Sequence, residues 1–147
     1  MGAEPYWYFV EYKPDIGAAL QELRDREFRA GRYHPVVDRL EFPLGPFSPI
    51  PGAKHASIKK AIKAADATGT RSILDIERVG EEPDSSVATP LGNDVLTSIY
   101  GTPQPTRQMI EQNMDFFESI ERGQAVYVVV YKDGKPDEIV FAGYSFD

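Results

Sequence analysis

The sequence predicts an α+β fold: a mixed or antiparallel sheet of about four strands, a C-terminal β-hairpin, and three to four helices packed mainly on one face. Three observations predict it. Aromatic and β-branched runs of strand length stand at both ends of the chain, and apolar stripes of period 3.6 lie between them. The elements also fail to alternate as strand, helix, strand in the manner of a doubly wound sheet. The 147 residues have the length of one compact domain, 1–147, which buries about 70% of its unfolded surface without needing a metal or disulfide.

The first strand is Tyr6 to Lys13, an aromatic run that Pro14 ends. Asp15 caps a helix whose apolar stripe is Ile16, Ala19, Leu20 and Leu23 and whose terminator is Gly31. Glu22 with Arg26 and Asp25 with Arg29 are spaced as i,i+4 pairs on its polar side. From 32 to 56 the periodicity fails, and Pro35, Pro43, Pro46, Pro49 and Pro51 exclude regular helix or central strand. Tyr33, Leu40, Phe42, Leu44, Phe47 and Ile50 are too many large apolar groups for a flexible linker. A long loop packed across the surface is expected, with room for a short edge strand.

Ser57 caps the next helix, 57–67, with Ile58, Ala61, Ile62 and Ala65 on one stripe and Lys59, Lys60 and Lys63 opposite. Thr70 to Val79 is expected to be a strand with Ile73, Asp75, Glu77 and Val79 on one face. The polar, acidic stretch 80–92 is expected to be a mobile loop. Asn93 caps a brief helix from Asp94 to Tyr100, closed by Gly101. Thr106 then caps the longest helix, whose stripe runs through Met109, Ile110, Asn113, Met114, Phe117 and Ile120, widened by Phe116, until Gly123. Ala125 to Tyr131 is an unbroken apolar run and predicts a central strand, and Asp133-Gly134 turns it into its partner, Glu138 to Phe146.

Composition narrows the function classes. There are no cysteines, so a disulfide framework, Cys-ligated metals and a thiol nucleophile are excluded. A formal charge of −7 repels a phosphate backbone and argues against generic nucleic-acid binding. No apolar run approaches the roughly 20 residues of a membrane span, and a cytoplasmic location is expected. That charge is uneven: residues 1 to 53 are net −2, residues 54 to 72 net +4, and residues 73 to 147 net −9.

Recognisable catalytic motifs are missing. No G-x-G-x-x-G, Walker, H-E-x-x-H or G-x-S-x-G pattern occurs, and no histidine stands at a ligand-like spacing, so neither a cofactor nor a metal is expected. Two places carry candidate chemistry. At the entrance of the 57–67 helix, Lys54, Ser57 and Lys60 with free backbone N–H groups form a candidate anion site, with His55 as an acid or base; the ordinary alternative is a simple helix cap with exposed lysines. Asp75 and Glu77 are a candidate carboxylate pair, against which stands a plain solvent-facing strand.

The leading expectation is a non-catalytic protein-binding domain of regulatory, adaptor or toxin-neutralising type. Its partner would present a basic surface to Glu111, Asp115, Glu118 and Glu121 and to the acidic loop residues Glu81, Glu82 and Asp84, with self-association left open. The other expectation is a hydrolase or transferase for a small phosphate- or carboxylate-bearing substrate, with His55, Asp75 and Glu77 as its catalytic groups.

Overall fold

A computed structural model describes residues 3–45, 48 and 51–147. Its strands are β1 (Pro5–Glu11), β2 (Arg78–Val79), β3 (Val87–Pro90), β4 (Ala125–Lys132) and β5 (Lys135–Tyr144). Its helices are α1 (Ile16–Ala30), α2 (Ile58–Ala65), α3 (Asn93–Tyr100) and α4 (Arg107–Gln112). The α+β class holds, with one mixed sheet of five strands in the order β1-β5-β4-β3-β2. β5 runs antiparallel to both β1 and β4, whereas β3 is parallel to β4 and to β2.

Locally coded features appear where the sequence places them. Asp15 accepts from the Ala18 N–H at 3.0 Å and starts α1. Ser57 accepts from the Lys60 N–H at 3.2 Å and starts α2. In the hairpin, Lys132 pairs with Lys135 across Asp133 (φ 53°) and Gly134 (φ 75°), the positive angles that a two-residue turn needs. Pro136 lies opposite Tyr131 beside the register shift at Val130/Tyr131, where the regular ladder is interrupted.

Helical cover falls on both faces rather than mainly on one. Along β5, Ile139 and Phe141 belong to a core with Leu20 and Leu23 of α1, while Val140 and Ala142 belong to a second core with Leu96, Ile110 and Phe116. Alternate residues of a strand point to opposite faces, so the sheet is a middle layer. A third, smaller cluster of Tyr33, Ala61 and Leu74 ties α2 and the long loop to the outside of α1.

α3 begins at Asn93 with Gly92 at its N-cap and no side-chain cap bond, so Asn93 does not cap it. Four further expectations are corrected. The 70–79 segment is not a strand: Ile73–Asp75 forms a 3-10 turn and only Arg78–Val79 is extended in the sheet. Ser72 Oγ accepts from the Leu74 N–H at 3.2 Å, and Asp75 Oδ1 accepts from both the N–H (2.8 Å) and the hydroxyl (2.7 Å) of Thr70. These local side-chain bonds satisfy backbone groups that a strand would have used. The 106–123 helix is likewise broken. Asn113 Oδ1 accepts from the Asp115 N–H at 2.9 Å, and the Asn113 carbonyl accepts from the Tyr100 hydroxyl at 2.6 Å, so α4 stops and Asp115–Ser119 continues as a 3-10 turn.

Third, the acidic stretch contains β3, which lies between β2 and β4 with Val87, Ala88 and Thr89 buried. Small side chains let an interior strand form there without the long apolar run that usually marks one. Fourth, the expected pairs Glu22/Arg26 and Asp25/Arg29 do not form among the described residues. Glu22 instead meets Lys13 at 3.1 Å, and Arg26 meets Glu27 at 3.0 Å. In the long loop, Tyr33, Val37 and Leu44 are buried, as packing across the surface requires, but Leu40 is 90% exposed on a 3-10 turn that covers Arg39–Glu41. No edge strand occurs there among the described residues, and Pro46, Phe47, Pro49 and Ile50 lie outside them.

Candidate functional site

His55 at the helix entrance and Asp75 of the carboxylate pair belong to separate hydrogen-bond networks. Gly52 donates its N–H to the Ala30 carbonyl at 3.0 Å, which holds the loop 51–57 against the end of α1. There His55 Nδ1 lies 2.7 Å from the Tyr33 hydroxyl, and the two rings stand 5.7 Å apart. Lys54 and Lys60 are exposed, and Ser57 spends its acceptor on the helix cap. The Lys54 backbone N–H donates to the Tyr33 hydroxyl at 3.4 Å, so His55, Tyr33 and the Lys54 backbone form one network.

Asp75 belongs to another. It is only 4% exposed, its Oδ1 holds Thr70, and its Oδ2 has no hydrogen-bond partner among the described residues. Burial pushes its carboxyl above the usual range, and the hydrogen bonds from Thr70 oppose that shift. Glu77 is exposed and lines a groove between α1 and α2 with Arg24, Lys59, Ile58 and Ile62. Without a common strand, the two carboxylates do not share a face. His34, beside the buried Arg71 side chain, is pushed below its ordinary value by burial and by that cation.

The shift of Asp75 has a checkable consequence. A folded-state pKa raised above the unfolded value means that the folded form binds the proton more tightly. Its stabilising effect is complete below about pH 3.8 and is lost as the pH rises through the folded value. Asp75→Asn is neutral throughout, so its urea midpoint relative to wild type is expected to be higher at pH 7 than at pH 3.5. A pH-independent difference would refute this.

The four acidic residues assigned to one helix face lie on a broken segment, yet all four are exposed: Glu111 on α4, Asp115 and Glu118 on the following turn, and Glu121 beyond it. Tertiary structure adds a convergence that periodicity does not contain. The Ser86 N–H donates to the Gly123 carbonyl at 2.8 Å, which brings the acidic loop against the 118–123 turn. Between them runs a groove of about 460 Å³ with Pro83, Pro90, Leu91, Ile120 and Val126 in its wall and Glu121 at its side. Glu121 and Ile120 also line a second groove, of about 480 Å³, with Phe117, Glu118, Arg122 and Tyr144. Glu81 lies near Tyr127, whose hydroxyl is pushed up by burial and then by that carboxylate.

The sequence reading missed a buried ion pair. Glu27 is 1% exposed and takes the Arg32 guanidinium through both carboxylate oxygens, with Arg32 Nε 2.9 Å from Oε1 and Nη2 2.6 Å from Oε2. A signal was present. Glu27 follows Leu20 and Leu23 at helical spacing, and a carboxylate on an apolar stripe needs a partner.

Fold and site together define an α+β protein with cores on both faces of its sheet and two surface grooves that share Glu121. Set against protein-family models, curated proteins and solved structures, the chain matches none of the three. Among the described residues no helix is long and apolar enough to cross a membrane, and no group of three or more His, Asp or Glu is placed to hold a metal ion.

Proposed function

We propose that this chain is a non-catalytic protein-binding domain that receives a basic surface of its partner along the grooves on either side of Glu121. The convergence of Pro83 of the acidic loop with segment 118–121 carries this reading: Pro83 and Glu121 line one groove, and Glu118, Glu121 and Arg122 line the next. Apolar walls supply area to bury, and the surrounding carboxylates supply attraction and orientation for Arg or Lys. The hydrolase or transferase reading needs His55 and Asp75 at one reacting centre. They lie in separate hydrogen-bond networks, and no observation favours it.

The test compares capture from native cells on the immobilised wild-type chain with capture on a Glu82→Lys, Glu118→Lys, Glu121→Lys variant. A basic protein is expected to bind the wild type, to be released by salt, and to bind the variant at least about 100-fold more weakly, as close interfacial charge pairs imply. Equal retention by both chains, with equal salt dependence, would remove the reading.

A further inference from the structure

One sheet edge is open for pairing. Among the described residues β1 is the outermost strand and pairs only with β5. Ser145 donates its N–H to the Glu4 carbonyl at 2.9 Å, and Tyr12 donates its own to the Asp137 carbonyl at 3.1 Å. Backbone groups alternate sides along an antiparallel strand, so even-numbered residues face β5 and the backbone groups of Trp7, Phe9 and Glu11 face outward. Edges are normally blunted by lysine, proline or a bulge. From Trp7 to Glu11 this edge has none of them, and Trp7 is 39% exposed.

We propose that this edge is the interface between two copies of the chain, whose β1 strands pair antiparallel about a two-fold axis at Phe9. Of the outward-facing residues Pro5 has no N–H to donate, and the three that do, Trp7, Phe9 and Glu11, centre on Phe9, so this register sets Phe9 against Phe9 and Trp7 against Glu11 of the second copy. It forms about six new backbone hydrogen bonds and continues the sheet across both copies. Charge complementarity selects a second copy as the occupant. Glu22, Arg26 and Arg29 follow one another at helical spacing on α1, and all three line a cleft of about 290 Å³ with Phe9 and Val10 of β1. A two-fold axis normal to the sheet keeps both α1 helices on the same face and runs them in opposite directions. The acidic end of this stripe, Glu22, which also meets Lys13 of its own copy at 3.1 Å in an exposed pair, then faces the basic end, Arg29, of the other copy, while Arg26 near the axis is already held by Glu27 at 3.0 Å.

Sedimentation equilibrium of the full chain from about 1 to 200 µM tests this. A dimer of twice 16.4 kDa is expected. Trp7→Pro removes an outward N–H together with the indole's edge-on contact to Phe117 (ring centroids 6.2 Å apart) and should abolish it, whereas Trp7→Ala, which loses the same contact but keeps that N–H, should retain it. Glu22→Arg and Arg29→Glu should each weaken the dimer about tenfold, and the two combined should restore it. None of these residues lines the grooves beside Glu121, so the outcome is separable from partner binding. A chain that stays monomeric, a dimer indifferent to Trp7→Pro, or a charge swap that fails to rescue would each overturn the proposal.

Discussion

Glu27→Ala is expected to destabilise the fold by about 3–5 kcal/mol, because it strands a buried arginine. Arg32 is 5% exposed, and both of its paired nitrogens point at the Glu27 carboxylate. Removing the carboxylate leaves a desolvated cation with no counter-charge, which costs far more than the pair contributes against water. Glu22→Ala is the internal comparison. Its bond to Lys13 joins side chains that are 66% and 38% exposed, and such a pair contributes about 0–1 kcal/mol. Urea midpoints of the two variants should therefore lie far apart. The combined Glu27→Met, Arg32→Met variant should recover most of the loss, since an apolar pair of similar volume carries no desolvation penalty. If Glu27→Ala unfolded within about 1 kcal/mol of wild type, the pair would not be buried as described.

Gly31→Ala is the second large effect, expected at about 3 kcal/mol. Gly31 (φ 72°) ends α1 in the left-handed region, with its own N–H on the Phe28 carbonyl and the Arg32 N–H on the Glu27 carbonyl, the paired closure of a Schellman motif. Alanine there costs roughly 1–2 kcal/mol for the backbone angle alone. A Cβ would also meet the Gly52 carbonyl oxygen and would lie 2.6 Å from its carbon and 2.8 Å from its nitrogen. Those are backbone atoms, which cannot rotate away, and such overpacking adds about 1–3 kcal/mol. Gly134→Ala separates the two causes. Gly134 has φ 75° with nothing within 4 Å of the added atom, so it should show the angular cost only. Equal midpoints for the two variants would mean that the approach of Gly52 to Gly31 is not as close as described. Because the same turn delivers Arg32 to Glu27, Gly31→Ala and Glu27→Ala should combine to less than the sum of their separate effects.

How much was legible in the sequence depends on the range of the interaction concerned. Asp15, Gly31, Ser57 and Asp133-Gly134 act within a few residues of themselves, and each of those boundaries is where the sequence places it. Asn113 misleads because it fits an apolar stripe by spacing while its amide oxygen and carbonyl both find partners outside the helix. Asp75 and Glu77 alternate correctly for a strand, yet Thr70 and Ser72 capture the backbone into a turn that buries one carboxylate and exposes the other. Of the candidate site, the acidic residues were legible as composition. The grooves beside Glu121 were not, since the bond from Ser86 to Gly123 joins segments far apart in sequence.

By itself the sequence determined the α+β class, the limits of α1, the start of α2 and the C-terminal hairpin, because caps, terminators and tight turns depend on the chemistry of adjacent residues. Tertiary structure alone decided that β3 is an interior strand, that helices cover both faces of the sheet, and that the backbone of Trp7, Phe9 and Glu11 is left facing outward. Each of these depends on which distant segment supplies a hydrogen-bond ladder or an apolar face. Local periodicity carries no record of that choice.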